Sequence, residues 1–247
     1  MFLMSIMSAK EHYDEHLGAF YEWMAGDFAP QQKTQEDYFR SLDLGEVAGK
    51  LALDLEAAHG LQTISLLNMG YEVKAVDFNR TLLDSLEQKA RGRKLTIIES
   101  DILSFLDHQV PAFDLILCMG DTLPHLESFE DLDHMIRKVY SRLRKGGSFV
   151  LSFRDYQFEL KDTQRFIPVR SDQTKIHTCF LEYFEDKVRV SDILYKREGE
   201  NWIQSSSSYW KLRLGLEMVQ DMLTSHSFEL RDHQEISRLH YLHAVKE

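Results

Sequence analysis

The sequence predicts an α/β fold built on a mainly parallel sheet, and three observations carry that prediction. Leu51–Leu55 is a short apolar run carrying Asp54, followed by apolar residues at helical spacing (Leu61, Ile64, Leu67). Gly70 stands where that helix would end, and a second run, Glu72–Val76, closes on Asp77. Phe113–Cys118 is the most hydrophobic run in the chain and shows no alternation, as expected of a strand buried on both faces of a parallel sheet. Acids, glycines or an arginine recur where each strand should end: Asp77, Asp101, Gly120, Gly146-Gly147 and Arg154.

The remaining elements follow in order. Residues 10–42 read as helical and rich in aromatics, with a break at Pro30. Most of these rings suit a cover over the sheet; Tyr21 and Trp23 are the ones expected to face a pocket. After Asp77, Phe78-Asn79-Arg80 begins a turn, and Thr81 is expected to cap a helix running to about Arg91. Leu95–Glu99 is the third strand and delivers Ser100-Asp101-Ile102, where Asp101 suits an N-cap. Phe113–Cys118 is the fourth. A helix over Phe129–Leu143 and a turn over Arg144–Gly147 lead to the fifth, Ser148–Phe153, which ends at Arg154-Asp155-Tyr156.

Residues 175–213 change character. Lys175–Phe184, Lys187–Tyr195 and Asn201–Leu212 read as three strands with hairpin-like joins, forming a small antiparallel insertion. The serine run Ser205–Ser208 is flanked by Trp202, Tyr209 and Trp210, so it reads as strand, not tether. A helix over Gly215–His226 and strands over Phe228–Arg231 and Leu239–Val245 close the chain.

Composition bounds the partners. The chain has 247 residues, 43% hydrophobic and 28% charged, with a formal net charge of −11. That length fits one domain, 1–247, with a sizeable core. The acidic balance argues against nucleic acid as substrate. The apolar stretch Met1–Met7 is too short for a signal or a membrane span, so a cytoplasmic location is expected. Cys118 and Cys179 lie far apart and fit no metal or redox spacing, and His59, His125 and the C-terminal histidines form none either, so no metal is expected. No nucleophile elbow is present.

The stretch Asp54-x-Glu56-x-Ala58-x-Gly60 resembles the first motif of the class I S-adenosylmethionine (SAM) methyltransferases, usually Asp-x-Gly-x-Gly-x-Gly, with one glycine of three retained. Met119-Gly120-Asp121-Thr122-Leu123-Pro124-His125-Leu126 resembles the Gly-Asn-Ser-x-x-His-Leu segment of small-molecule methyltransferases. Arg144-Lys145-Gly146-Gly147 is similar to their Leu-x-Pro-Gly-Gly. Arg154-Asp155-Tyr156 resembles the His-Arg-Asn-Tyr of glycine and sarcosine N-methyltransferases, whose arginine holds the substrate carboxylate.

The resemblance implies a Rossmann-like seven-stranded methyltransferase sheet, helices on both faces and a small antiparallel β insertion. It implies an N-terminal helical cap (1–44), a SAM-binding core (45–156), an antiparallel insertion (170–213) that roofs the pocket, and a closing helix and strands (214–247). Glu56, Ala58 and Gly60, with Met119 and Gly120, would line the methionine part of SAM, Asp77 would hold the ribose, and Asp101 the adenine with Ile102 against the ring; Asp54 and Phe78 would also belong to the cofactor site. Arg154 would clamp the substrate, with Tyr156, Tyr21 and His125 as wall residues. No catalytic base is singled out.

The implied activity is SAM-dependent methylation of the N or O of a small, carboxylate-bearing metabolite, with no membrane partner and room for a homo-oligomer. Glu56 places a long carboxylate where the family has almost no side chain. That departure keeps open a degenerate methyltransferase fold serving as a non-catalytic ligand-binding or regulatory subunit. A nicotinamide dehydrogenase ranks lower, because the glycine spacing is wrong and Arg144–Tyr156 goes unexplained.

Overall fold

The computed structural model describes residues 6–44, 49–109 and 111–247. Met1–Ser5 of the apolar N-terminal stretch, and Gly45, where the core is expected to begin, lie outside the described residues. The elements run β1 (Ile6–Met7), α1 (Ala9–His12), α2 (Tyr21–Ala25), α3 (Phe28–Ser41), β2 (Leu51–Leu55), α4 (Leu61–Asn68), β3 (Glu72–Asp77), α5 (Arg80–Lys89), β4 (Leu95–Glu99) and α6 (Ile102–Asp107). They continue with β5 (Phe113–Cys118), α7 (Phe129–Arg142), β6 (Leu143–Phe153), β7 (Phe166–Ser171), β8 (Lys175–Tyr183), β9 (Lys187–Glu198), β10 (Asn201–Leu212), α8 (Leu216–Ser225), β11 (Phe228–Ile236) and β12 (Leu239–Lys246).

The chain divides into two compact units, Asp27–Asp155 with Leu214–Glu247, and the residues up to Gly26 with Tyr156–Arg213. The N-terminal helical stretch is thus shared between them.

The larger unit is built on a seven-stranded sheet of order β11-β12-β6-β5-β2-β3-β4. The five strands from β6 to β4 pair in parallel. β12 runs antiparallel to β6, and β11 antiparallel to β12. All six residues of β5 are buried, as the unalternating run predicts. In α7 the buried residues are Leu132, Met135, Ile136 and Val139, spaced i, i+3, i+4, i+7, and Ser128 caps the start by accepting the Asp131 N–H at 3.1 Å. α3 lies on α4, where the Ser65 hydroxyl donates to the Gln32 carbonyl at 3.1 Å.

Two local expectations are corrected here. Asn79, not Thr81, caps α5: its side chain accepts the Leu82 N–H at 3.0 Å, and Thr81 sits inside the helix. Asn79 is the better placed cap because the chain is still extended there. Pro30 does not break the helices. It sits in the first turn of α3, where a missing N–H costs nothing, and the break falls at Gly26, whose φ of 96° ends α2.

The smaller unit is a five-stranded sheet of order β1-β10-β9-β8-β7. β7 to β10 form an antiparallel meander, and the short β1 adds in parallel to β10 at Ser208 and Tyr209. The three expected strands are present, and β1 and β7 are additional. β7 is an edge strand that carries Pro168 beside a register shift, the position a sheet allows proline. Tyr156, Leu181, Val188, Val190 and Tyr209 form its core. Among the described residues, no helix is long and apolar enough to cross a membrane.

Candidate functional site

In the larger unit the strand order reverses between β2 and β5, and ligands of open α/β sheets bind outside the strand C-termini at such a point. The loop after β2 has an unusual backbone. Glu56, Ala58 and Gly60 take φ of 60°, 47° and 97°, all in the left-handed region. These are the positions where the resembling motif carries glycine, so two L-residues adopt the conformation that glycine takes without cost. Three hydrogen bonds fix the turn: Ala57 N–H to the Val76 carbonyl (3.0 Å), Ala58 N–H to Asp77 Oδ2 (2.8 Å) and Gly60 N–H to the Ala57 carbonyl (3.0 Å).

Gly60 is required twice over. Its φ is left-handed, and a Cβ there would stand 2.4 Å from Leu86 Cδ1. It is the residue that begins α4.

Asp54 lies beneath this loop, 1% exposed, and its Oδ2 accepts the Thr63 hydroxyl at 2.6 Å. Burial pushes its carboxyl up to about 7, against that hydrogen bond, and the Asp77 charge adds to the rise. Asp54 thereby ties β2 to the first turns of α4. Burial, then the Glu56 and Asp54 carboxylates, also push up the Cys118 thiol at the end of β5.

Asp77 is buried at the end of β3. One oxygen accepts the Ala58 N–H and the other the Asn79 N–H at 2.7 Å, so it clasps the loops after β2 and β3. Phe78 between them is half-buried. At the end of β4, Asp101 is exposed and accepts the Ser104 N–H at 2.8 Å as the N-cap of α6, with Ile102 buried beside it. Met119 is buried after β5. Gly120, at φ 87°, has nothing within 4 Å of a notional Cβ except Thr122 Oγ1 at 4.0 Å, so the backbone edge is open there. Its N–H donates to Ser152 Oγ at 2.8 Å. His125 closes the turn that follows, its N–H donating to the Thr122 carbonyl at 2.8 Å.

Arg154 leaves the end of β6 with its side chain exposed and in no ion pair among the described residues, while its N–H donates to Asp121 Oδ1 at 3.0 Å. Asp155 accepts the Leu216 N–H at 3.0 Å and so starts α8. Asp54, Glu56, Ala58, Gly60, Asp77, Phe78, Asp101, Ile102, Met119, Gly120, His125 and Arg154 thus all fall in the larger unit, on strand ends or the loops that follow them.

Tyr156 and Tyr21 belong to the smaller unit. Tyr156 is buried in its sheet core, where its hydroxyl accepts from Lys211 Nζ at 3.4 Å. Tyr21 packs beside Leu17, Phe20 and Leu194. Trp23 donates from Nε1 to Asp172 Oδ2 at 2.5 Å. Ser152, which braces Gly120, and Thr63, which braces Asp54, are missed by reading the sequence alone. A hydroxyl facing inward on a strand or a first helical turn is not a pattern that stands out. A cavity of about 600 Å³ lined by Asp43, Arg231, Asp232 and His243 lies at the N-terminal end of β6, where Gly146 and Ser148 also line it, away from these loops.

The arrangement fits SAM on its own observations. The backbone is bare at Gly120, a tight left-handed loop faces the switch point, and carboxylates stand at three successive strand ends. SAM carries a sulfonium and an ammonium, and an acidic edge suits both.

Comparisons with known proteins agree. Residues 52–147 match the family model described as a methyltransferase domain. The chain is 28% identical over 156 residues to a glycine/sarcosine N-methyltransferase of Aphanothece halophytica, a stretch covering 62% of this chain and 59% of that one. It is 28% identical over 107 residues to a cypemycin N-terminal methyltransferase of a Streptomyces species, covering 43% of each. The matched stretches span about half the length of the curated relatives. Among solved structures, the CcbJ methyltransferase of Streptomyces caelestis superposes with a TM-score of 0.79 at 18% identity, over 96% of this chain and 99% of that one. SAM-bound CalS10, an amino pentose methyltransferase from Micromonospora echinaspora, gives 0.74 at 14%, over 93% and 96%. These likenesses establish the fold.

Proposed function

We propose, from a chain whose residues 52–147 are a methyltransferase domain on a methyltransferase fold, that this protein is a SAM-dependent methyltransferase acting on a nitrogen or oxygen of a small, carboxylate-bearing metabolite. The observation that carries the reading is the loop after β2. It keeps three left-handed residues at the switch point although two of its glycines are gone. Strain of that kind persists where the surroundings over-determine it, and it clusters at ligand clamps.

SAM supplies a methyl group already activated by its sulfonium. The remaining work falls to the chain: to hold the donor, align a neutral nucleophile in line with the methyl, and exclude water. Asp77 would accept from the ribose hydroxyls and Asp101 from the adenine amino group. The loop from Glu56 to Gly60 and the backbone at Met119 and Gly120 would border the methionine part. In transfer to an amine, the methylated nitrogen would release its extra proton to solvent, so the chain would need no dedicated base.

Arg154 is the substrate clamp in this reading. Its guanidinium is exposed at the end of β6, and its backbone is fixed to Asp121. A guanidinium can grip a carboxylate through two parallel hydrogen bonds. Nitrogen is favoured as acceptor because the glycine/sarcosine relatives are named as N-methyltransferases.

The test is twofold. Calorimetry should show SAM and S-adenosylhomocysteine binding and NAD not binding. A methyl-release assay over small amino acids, amines and phenols should then find turnover that Arg154→Ala lowers. A preferred substrate without an anionic group, or an Arg154→Ala enzyme with full turnover, overturns the clamp. No binding of SAM overturns the whole reading.

A further inference from the structure

The smaller unit brings three metal-ligating side chains, His177, Cys179 and Asp192, to one point, with His12 set against Asp192. His177 and Cys179 stand two residues apart on β8 and therefore share a face of the sheet. Asp192 on β9 pairs directly with Cys179, and Ser207 on β10 pairs directly with Asp192, so one line crosses three strands. His12, at the end of α1, descends onto the same line with its ring stacked on Tyr209 at 4.1 Å. His12, His177 and Asp192 are each 2% exposed or less.

The contacts converge on Asp192. Its Oδ1 lies 2.9 Å from His177 Nε2 and 2.7 Å from Cys179 Sγ, and its Oδ2 lies 2.9 Å from His12 Nε2. The ligand atoms of His177, Cys179 and Asp192 all fall within 4.8 Å of one another. From this geometry we infer that His177, Cys179 and Asp192 form a binding site for a divalent transition-metal ion, zinc above all, with His12 supporting Asp192 from outside.

The arrangement differs from a nucleophilic triad. Cys179 Sγ lies 3.9 Å from the same Nε2 that faces Asp192, whereas a relay needs the thiol and the carboxylate on opposite ring nitrogens.

Three features suit a metal. A carboxylate and a thiolate together carry the two negative charges that a divalent cation balances in a buried place, and buried charges are paired or bind metals. The mix of imidazole, thiolate and carboxylate is a zinc donor set. Asp192 also has the outer support of a metal ligand, since its Oδ2 lies 2.9 Å from His12 Nε2, and His12 Nδ1 in turn lies 2.8 Å from Ser207 Oγ. The ion would pin β8 to β9. This inference does not depend on the reading of the larger unit.

The test uses the full chain. Elemental analysis of the purified protein, and competition for zinc against a chromophoric chelator after stripping, should show stoichiometric tight binding and a rise in melting temperature on refilling. Cobalt(II) in place of zinc should give a thiolate-to-metal charge-transfer band that Cys179→Ser abolishes and Cys118→Ser leaves intact. His12→Asn should weaken zinc by roughly 10–100-fold, the scale of an outer-shell partner. Should Cys179→Ser fail to fold, the wild-type chain still decides: zinc should shield Cys179 from alkylation, read by peptide mapping. A natively folded chain that takes up no zinc, a charge-transfer band that survives Cys179→Ser, or equal alkylation with and without zinc overturns the inference.

Discussion

Ala58 offers the sharpest test of how the switch-point loop is built. Its φ of 47° is left-handed, and its side chain is a single methyl, so Ala58→Gly changes little besides backbone freedom. The left-handed conformation costs an L-residue roughly 1–2 kcal/mol. Glycine gives part of that back through the unfolded chain, where its extra freedom is worth about 0.4–1 kcal/mol. The net expectation is a stabilisation of about 0.5–1 kcal/mol, which for a chain of this size raises the melting temperature by about 1–4 °C. Gly60→Ala, two residues on, is the opposing control. It adds left-handed strain and sets a methyl 2.4 Å from Leu86 Cδ1. Strain and overpacking together should cost about 2–5 kcal/mol. Scanning calorimetry on the three proteins reads both effects. An Ala58→Gly chain that melts at or below the wild-type temperature refutes the claim that this loop stores backbone strain.

Further outcomes follow from the same loops. Glu56→Gly should also stabilise the chain and should leave SAM affinity within a few-fold; a much tighter complex would mean that the Glu56 carboxylate obstructs the site. Asp77→Asn should weaken SAM by about 1.5–3 kcal/mol, the worth of hydrogen bonds to a charged group, and calorimetry showing unchanged affinity would remove Asp77 from the ribose. Asp54 should make stability depend on pH. Its carboxyl titrates near 7 in the fold and near 3.8 when unfolded, so the folded chain binds the proton more tightly between those values. Its stabilising contribution is therefore full below about pH 4 and lost as pH rises towards 7. Asp54→Asn should gain on the wild type progressively across that window and hold the gain above it, and parallel melting curves from pH 4 to 8 would contradict this.

Much of the larger unit is legible in the sequence because its signals are local. The bounds of β2, β3, β4 and β5 follow from apolar runs closed by acids or glycine, and a buried parallel strand has no other way to be written. The smaller unit is harder to read for the opposite reason. Its first strand is two residues long and pairs with β10 some two hundred positions later, and β7 breaks its own pattern with Pro168. The metal-ligand cluster hides in the same way. Residues 177, 179 and 192 show no ligand spacing in one dimension. They meet because the hairpin pairs Tyr183 with Val188, and counting back through that register sets Cys179 opposite Asp192. The signal exists in the sequence, but only after the turn has been fixed.

The first-strand motif shows why a degraded pattern can still mark a site. A motif records residue identity, whereas the loop needs a conformation. Glycine is the cheapest way to reach it, but not the only one. Here Glu56 and Ala58 are held left-handed by bonds from outside themselves. The Ala58 N–H is claimed by Asp77, the Ala57 N–H by Val76, and α4 is anchored from below through Thr63 and Asp54. Asp77 is the joint in this arrangement. An ionised carboxylate has about four acceptor positions, so holding the Ala58 and Asn79 N–H groups is compatible with accepting from a ribose as well. The same side chain then sets the loop and meets the ligand. Loss of Asp77 should therefore loosen the loop after β2 even without ligand, and hydrogen exchange on the ligand-free Asp77→Asn chain should show the Ala58 and Gly60 amides less protected than in wild type. If those amides keep their protection while SAM binding falls, Asp77 acts on the ligand alone and the loop owes its shape to its other bonds.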